Sequence, residues 1–292
     1  MNILCVGGCG YIGALLVPQL LAEGHKVTVV DTQWFGNGHL PGDNENLTII
    51  KGDIRNEEAL RRDMEGKDVV IWLASLSNNA MYGVDYDLTH AVNTTVHYSP
   101  RFIYASSVAV LDPTSDYAKD KLACEEKLKD TGAIIVRSAS VCGYSPHQRF
   151  DLTLNMMTHD AYRKGVITVN GGEQERCHIH IQDLCDFYKL LLKKGVDGET
   201  YIPWAQSTKI KWSAQTVADI FTDAKRPVRI ETQGRSDNRS YCVNGDSARS
   251  IDWFPKKAVW DGVRDLIVKF DSGYWPDSLT NPIYQNIAHG LV

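Results

Sequence analysis

The sequence predicts an α/β fold in which a doubly wound parallel sheet is followed by a smaller α+β region. Two observations support this prediction. Short apolar segments alternate with segments of helical periodicity through the first half of the chain. A glycine-rich turn joins the first apolar segment to the first helical one, as in dinucleotide-binding folds. Because the strands are apolar along nearly their whole length, helices should cover both faces of the sheet.

The first half alternates strand and helix. Strands are predicted at 3–6, 26–30, 47–51, 68–74, 101–105 and 133–137. Helices are predicted at 11–23, 56–64, 85–97 and 115–129. With right-handed crossovers these elements form a Rossmann-type sheet.

The alternation is looser after residue 143. Helices are predicted near 151–164, 182–194, 212–224 and 257–270, and short strands near 166–169, 199–202 and 228–231. The tail at 272–292 should be irregular. We therefore expect a cofactor-binding domain at 1–143 and a substrate-binding cap at 144–292, interleaved with the first domain at a cleft.

Composition excludes several classes of protein. The chain has 292 residues, 43% of them apolar and 23% charged, which is typical of a globular enzyme. Its net charge is -5 and it has no basic stripe, so we expect no nucleic-acid partner. Seven cysteines without a CxxC motif indicate reduced thiols. No apolar segment is long enough to span a membrane, and the first residues read as a strand rather than a signal peptide, so we expect a cytoplasmic protein.

The glycine-rich turn predicts a dinucleotide site. Gly7, Gly10 and Gly13 fit the pattern GxxGxxG between the first strand and the first helix. The first glycine permits the tight turn, the second lets a pyrophosphate approach, and the third allows close packing of helix on strand. The free N–H groups of the helix then face the phosphates.

Two acids extend this site. Asp31 ends the second strand, where it can accept hydrogen bonds from both ribose hydroxyls and would repel a 2′-phosphate, so NAD is favoured over NADP. Asp53 follows the third strand and can contact the adenine amino group. The alternative for Asp53 is a cap on the helix at 56–64.

A tyrosine and a lysine form the candidate reactive pair. Tyr117 and Lys121 are four residues apart on a predicted helix, so they share one face. A neighbouring ammonium favours the phenolate, which can take a proton from a sugar hydroxyl. Ser107 ends the preceding strand at the ligand-binding edge of the sheet and can hold the reacting oxygen. On its own, this spacing more often marks an exposed helix pair, and the position of Ser107 is what favours the reactive site.

These segments together resemble an extended short-chain dehydrogenase/reductase of the NAD-dependent epimerase/dehydratase family, whose members act on nucleotide sugars. The resemblance covers nearly the whole chain. It rests on GGCGYIG at 7–13, VVD at 29–31, GDIR at 52–55, WLAS at 72–75, FIYASSVAV at 102–110, YAKDK at 117–121, VRSASVCG at 136–143 and RCHIHIQDL at 176–184.

The resemblance implies roles for individual residues. Tyr117 would be the acid/base, Lys121 would bind ribose and activate the tyrosine, and Ser107 would bind the substrate hydroxyl. The implied NAD ligands are Gly7, Gly10, Tyr11, Ile12, Gly13, Asp31, Asp53, Ile54, Leu73, Ala74 and Lys121. The implied nucleotide-sugar ligands are Ser107, Tyr117, Ser140, Asn155, Arg176 and Arg239.

Two of these assignments come from later segments. SPHQRFDLTLN at 145–155 and SLTNPIYQNI at 278–287 resemble a nucleotide-sugar subgroup that includes GDP-heptose 4-dehydrogenases, and DNRSYCVN at 237–244 resembles the late arginine motif of the family. Asn155 would contact the diphosphate and Arg239 would clamp it, as a guanidinium can do without a basic surface. The alternative for Arg239 is an ion pair with Asp237 or Asp246.

The chain departs from the family pattern in several places. The helix after Asn93 is about three turns short, which argues against the usual homodimer. The loop at 111–116 is short, which would leave the sugar pocket more open or reshape it. Val108 and Ala109 replace the Asp-Glu pair of the dehydratases, which argues against a dehydratase. Ser140 stands where many epimerases have asparagine.

The sequence therefore predicts an NAD-dependent enzyme acting at C4 of a nucleotide sugar. Return of the hydride to the same sugar would make it a 4-epimerase. Release of the product would make it a 4-dehydrogenase or 4-ketoreductase, for example on a GDP-heptose-like sugar. A catalytically silent NAD-binding sensor is the alternative of another class. No metal is predicted, because His178 and His180 lack a third ligand and fit a strand-to-helix connection.

Overall fold

A computed structural model describes residues 1–77, 79–234, 240, 243 and 245–285. Its strands are β1 (Asn2–Val6), β2 (Lys26–Asp31), β3 (Leu47–Lys51), β4 (Val69–Trp72), β5 (Phe102–Ser107), β6 (Ile134–Ser138), β7 (Ser140–Cys142), β8 (Val166–Asn170), β9 (Glu175–His180), β10 (Thr200–Tyr201), β11 (Gln206–Lys209) and β12 (Arg229–Gln233).

The helices alternate with the strands in the first half and dominate the second. They are α1 (Gly13–Ala22), α2 (Glu57–Met64), α3 (Met81–Val84), α4 (Tyr86–Asn93), α5 (Asp116–Leu128), α6 (Thr153–Lys164), α7 (Ile181–Lys194), α8 (Ile210–Asp223), α9 (Asp246–Arg249) and α10 (Val259–Asp271). Short 3₁₀ helices occupy Val108–Leu111 and Pro282–Tyr284.

The main sheet has the predicted doubly wound topology. Its strand order is β10-β6-β5-β4-β1-β2-β3, and all of its pairs are parallel. The strand order reverses between β1 and β4, so a crevice opens at their carboxyl ends. The predicted fold class is confirmed.

Alternate side chains of the strands supply the cores on the two faces. In β1, Ile3 and Cys5 belong to one hydrophobic cluster, and Leu4 and Val6 belong to the other. This alternation follows from the two-residue period of a strand. Burial on both faces explains why the strands are apolar almost throughout.

The second half returns to the main sheet before it forms its own layer. β10 pairs with β6 at the edge of the main sheet, and Gln182 of α7 is hydrogen-bonded to Gln19 of α1. The remaining strands form two smaller sheets, β11-β9-β7 and β12-β8. Helices α6, α8 and α10 share a separate hydrophobic cluster. Segments after residue 143 thus contribute both to the main sheet and to the second layer.

Helix α4 is shorter than the sequence suggests. The predicted helix at 85–97 ends at Asn93. The hydroxyls of Thr94 and Thr95 donate to the carbonyls of His90 and Ala91, at 2.8 and 2.7 Å. β-Branched residues and such side-chain bonds both disfavour a further turn. Strands β7 and β11 were not predicted, because β7 has only three residues and β11 is polar throughout.

Gly13→Ala should lower the free energy of unfolding by about 2–3 kcal/mol, because α1 packs directly on the glycine-rich turn. A Cβ at residue 13 would lie 2.3 Å from the carbonyl oxygen of Gly8. Chemical denaturation measures the change. Gly83→Ala in α3 is the matched control, since a Cβ there meets nothing within 4 Å. Equal stability of the two variants would contradict this packing.

Candidate active site

A cavity of about 420 Å³ lies at the crevice between the carboxyl ends of β1 and β4. It brings together residues that are far apart in the sequence. Its lining includes most of the predicted site residues: Gly7, Gly10, Tyr11, Ile12, Gly13, Asp31, Asp53, Ile54, Leu73, Ala74, Ser107, Tyr117, Lys121, Ser140 and Arg176.

At Gly7 the glycine-rich turn approaches the end of β4 so closely that there is no room for a side chain. Gly7 has φ +79°, and a Cβ on it would lie 2.5 Å from the backbone nitrogen of Ala74. The N–H of Gly7 donates to the carbonyl of Val30 at 2.8 Å, which fixes the turn against β2. The bare backbone and the start of α1 form a cradle that fits a pyrophosphate.

Asp31 is held at the end of β2 by two backbone donors. The N–H groups of Cys9 and Gln33 donate to its two carboxylate oxygens, at 3.0 and 2.8 Å. Burial raises the pKa of Asp31, and these two hydrogen bonds oppose that rise. Each carboxylate oxygen keeps a further lone pair, so the group can still accept bonds from ribose hydroxyls.

Asp53 is paired with Arg55 instead of capping a helix. The Arg55 guanidinium lies 2.6 Å from the Asp53 carboxylate and lowers its pKa. Asn56 caps α2, because its side-chain oxygen accepts the N–H of Ala59 at 3.1 Å. The alternative interpretation of Asp53 as the cap of that helix is therefore wrong.

Ser107, Tyr117 and Lys121 converge on the same cavity, as the motif spacing predicts. The Lys121 ammonium lies 5.9 Å from the centre of the Tyr117 ring and 4.9 Å from that of Tyr104. It donates to the carbonyl of Ala105 at 2.9 Å, which anchors it against β5. The hydroxyl oxygen of Ser107 accepts the N–H of Ala109 at 3.2 Å and keeps its own proton to donate.

Lys121 is a buried cation supported by anions. Burial lowers its pKa to about 8, and Glu125 and Asp120 act in the opposite direction. Glu125 is itself fixed by Arg137, whose guanidinium lies 2.5 Å away, and by the hydroxyl of Ser106. These acids favour the ammonium form beside Tyr117.

Asp120 connects the reactive helix α5 to α3 and α4. Its carboxylate accepts the hydroxyl of Tyr82 at 2.5 Å and is bonded to the ring of His90 at 2.9 Å. The Tyr82 hydroxyl also accepts an amide proton of Asn93 at 3.0 Å. Asn93 in turn accepts from the hydroxyl of Ser75, which lines the cavity, at 2.9 Å. The network therefore runs from α5 to the cavity wall after β4.

Asn155, which the resemblance implies as a substrate ligand, bonds groups of the protein itself. Asn155 is fully buried behind the cavity lining, and its amide is used within the protein. It accepts the N–H of Gly143 at 2.9 Å and donates to the Tyr11 hydroxyl and the Arg149 carbonyl, both at 3.0 Å. Tyr11 also donates to the Gly143 carbonyl at 2.6 Å. Asn155 thus holds the start of α1 in place.

The remaining predicted substrate ligands have different outcomes. Ser140 and Arg176 lie in the cavity lining. Arg176 is 7% exposed, and its guanidinium donates to the carbonyl of Glu175 at 3.0 Å. Arg239 lies outside the described residues. His178 and His180 lie in β9, which leads directly into α7 as the strand-to-helix interpretation predicts.

Sequence reasoning missed a group of polar residues in the lining. Arg149 forms a buried ion pair with Asp151 at 2.6 Å and also bonds Ser77, and His147 lies nearby. Arg149, Asp151 and His147 all belong to the segment SPHQRFDLTLN, where an arginine and an aspartate two residues apart were the available signal. Nothing local marks Ser77, because its partner is 72 residues away.

The fold and these side chains define the class of extended short-chain dehydrogenases/reductases. Within that class the chain belongs to the NAD-dependent epimerase/dehydratase family, whose model matches residues 3–202. The resemblance noted from the sequence is confirmed. Among the described residues, no helix combines the length and apolarity needed to cross a membrane.

Known relatives are similar at low identity. A UDP-glucose 4-epimerase of Rhizobium meliloti is 26% identical over 312 residues, covering 87% of this chain and 92% of the relative. The uncharacterized protein y4nG of Sinorhizobium fredii is 27% identical over 62% of this chain, which spans only 50% of that relative. The crystal structure of DesIV, a dTDP-glucose 4,6-dehydratase of Streptomyces venezuelae, has a TM-score of 0.82 at 20% identity, covering 96% of this chain and 100% of that one.

Asp120→Ala should lower the free energy of unfolding by about 2 kcal/mol, because the buried Tyr82 hydroxyl loses its charged acceptor. Chemical denaturation measures the loss. The matched control is Asp116→Ala on the same helix. Asp116 is exposed and its pair with Lys119 spans 3.3 Å, so this change should cost less than about 1 kcal/mol. A loss at Asp120 no larger than that at Asp116 would contradict the network.

Proposed function

We propose that the protein is an NAD-dependent nucleotide-sugar 4-epimerase. The observation that carries the proposal is the convergence of Ser107, Tyr117 and Lys121 on the cavity that also contains the glycine-rich turn. The similarity to UDP-glucose 4-epimerases supports it. The four-residue spacing places Tyr117 and Lys121 on one face of the helix, and both side chains line a site that fits a dinucleotide.

Three parts of the cavity would hold NAD. The backbone of the glycine-rich turn and the start of α1 would bind the pyrophosphate, and Asp31 would accept the hydroxyls of the adenosine ribose. The buried acid would also disfavour a 2′-phosphate. NAD bound there would supply the hydride acceptor for oxidation at C4 of the sugar and the hydride donor for reduction from the opposite face.

Tyr117 would act as the acid and base at the C4 oxygen. Its phenolate takes the hydroxyl proton as C4 is oxidised, and the phenol returns that proton when the ketone is reduced. Ser107 donates to the same oxygen and fixes its position. The Lys121 ammonium would favour the phenolate form of Tyr117 in this exchange.

The acids of the cavity argue against water elimination. A dehydratase needs a free acid and base beside the reacting carbons, yet Ser107 is followed by Val108 and Ala109, both buried. Among the described lining residues, the acids are Asp31, Asp53 and Asp151. Backbone N–H groups donate to Asp31. Arg55 pairs with Asp53, and Arg149 pairs with Asp151. This arrangement favours an epimerase or dehydrogenase.

Tyr117→Phe should reduce turnover of a nucleotide sugar by about 10²–10⁴-fold, because the variant cannot exchange a proton with the C4 oxygen. The test incubates the protein and NAD with UDP-, GDP-, dTDP- and CDP-sugars and analyses the products by NMR. An inverted C4 centre identifies an epimerase. Accumulating NADH identifies a dehydrogenase.

The control for this variant is NAD binding measured by calorimetry, which should be unchanged. A wild-type protein that turns over none of the sugars, and that binds them as Tyr117→Phe does, would refute the enzyme and leave a silent NAD-binding protein.

The kcat/KM of the wild-type enzyme should fall as the pH rises through about 8, the pKa to which burial lowers Lys121. Above that pH the ammonium loses its proton and no longer stabilises the phenolate. Because this pKa is lower in the folded chain than in the unfolded one, deprotonation favours folding in the same range, so unfolding does not cause the loss.

The pH profile of kcat/KM from pH 6 to 10 checks this expectation, and the exposed Lys119→Met on the same helix should leave the profile unchanged. A wild-type profile that stays flat to pH 10 would show that Lys121 does not titrate in this range.

A further inference from the structure

We infer that residues 144–152 form a strap across the cofactor cleft, with Arg149 as its latch, and that this strap keeps the reduced cofactor bound between the two halves of the reaction. The inference rests on the proposed function, because only an enzyme that re-reduces its own product needs to retain NADH. The strap is the segment between β7 and α6.

The position of the strap follows from the strand order. β4, β1 and β2 are neighbours in the main sheet, with β1 in the middle. The loops that follow these three strands meet at one edge of the sheet, where a dinucleotide crosses the crevice. The strap contacts all three loops, so it reaches from one side of the cleft to the other.

The middle of the cleft is bridged by hydrogen bonds to the loop after β1. The hydroxyl of Ser145 donates to the carbonyl of Tyr11 at 2.7 Å. The Tyr11 side chain donates back to the carbonyl of Gly143, just before the strap. Since Ser145 and Tyr11 are both buried, water does not compete for these bonds.

On the β2 side the strap makes ring contacts. The His147 ring lies 5.7 Å from the ring of Phe35 and 5.2 Å from that of His39. His147 is 6% exposed and lines the cavity together with Phe35. These contacts join the strap to the loop that follows Asp31.

On the β4 side the strap is fastened by Arg149. Its guanidinium donates to the carbonyl of Ser77 at 2.9 Å and also to the Ser77 hydroxyl. Two further bonds to Asp151, at 2.9 and 2.6 Å, fix the orientation of the guanidinium. The side chains of Arg149 and Asp151 are only 8% and 4% exposed. Buried, charge-assisted bonds of this kind are stronger than neutral ones.

These contacts make the strap a wall of the cavity that must move before a bound dinucleotide can leave. Separation from the β4 loop breaks the two bonds between Arg149 and Ser77. Each bond to a charged group changes an equilibrium about tenfold or more, so closure should slow cofactor release by at least that factor. Retention decides the outcome, because an enzyme that loses NADH releases a keto-sugar.

The test measures NADH release without any sugar. Protein loaded with NADH is mixed with a large excess of NAD, and release is followed by NADH fluorescence. We expect slow release from the wild-type protein, about tenfold faster release from Arg149→Gln, and a smaller increase for Ser77→Ala, which keeps the Arg149–Asp151 pair.

Arg163→Gln is the matched control. Arg163 also bonds a backbone carbonyl and a serine hydroxyl, those of Trp275 and Ser278, but it does not line the cavity. Its release rate should equal that of the wild type. Thermal melting of every variant identifies any loss of folding, and Ser77→Ala tests the latch should Arg149→Gln not fold.

Two results would overturn the inference. One is wild-type release as fast as that of Arg149→Gln, and the other is an unchanged rate in both folded latch variants. Sugar turnover is assayed separately. Slow, latch-dependent release without turnover would refute the proposed function and leave the strap. Turnover of a sugar, together with NADH release that does not depend on the latch, would support the proposed function and refute the strap.

Discussion

The buried hydrogen bond from the Tyr11 hydroxyl to the Gly143 carbonyl holds the two halves of the site together. Tyr11 lies just before α1, so this bond sets the direction in which the free N–H groups of that helix point. Asn155 of α6 donates to the same hydroxyl, and its side-chain oxygen accepts the N–H of Gly143. Burial raises the pKa of Tyr11 well above its ordinary value, so the hydroxyl keeps its proton and remains a donor. One phenol thereby fixes the phosphate end of the cofactor site relative to the cap.

At the other end of the site, the buried ammonium of Lys121 needs neighbouring groups that stabilise its charge. An isolated ammonium in the position of Lys121 would lose its proton, because burial disfavours the charged form. Asp120 and Glu125 oppose this, and each is in turn anchored, to Tyr82 and to Arg137 respectively. The charges around Lys121 on α5 are therefore held in place by packing and by hydrogen bonds. This also explains why α4 can be short: Asn93 at its end bonds the chain after β4 directly, at Leu76.

Local patterns predicted the fold and much of the candidate site, whereas long-range contacts escaped them. Apolar segments reveal strands because both faces of the sheet are buried, and the glycine-rich turn lies within seven consecutive residues. The bond between Arg149 and Ser77 joins residues 72 positions apart, so no window of sequence contains it. Asn155 lies in a motif that the sequence does reveal, but a motif names a residue type and does not say which groups of the protein its side chain bonds. The helix predicted to residue 97 was too long because two threonine hydroxyls bond its last carbonyls.

The charges of the cavity explain how an acidic protein can receive an anionic ligand. Arg149 is balanced by Asp151, and Asp53 by Arg55, so these groups contribute little net field. The first turn of α1 contains no acidic residue, so its positive end is not cancelled. The local field at the glycine-rich turn therefore comes mainly from this helix end, and the net charge of the chain, -5, has little influence on it.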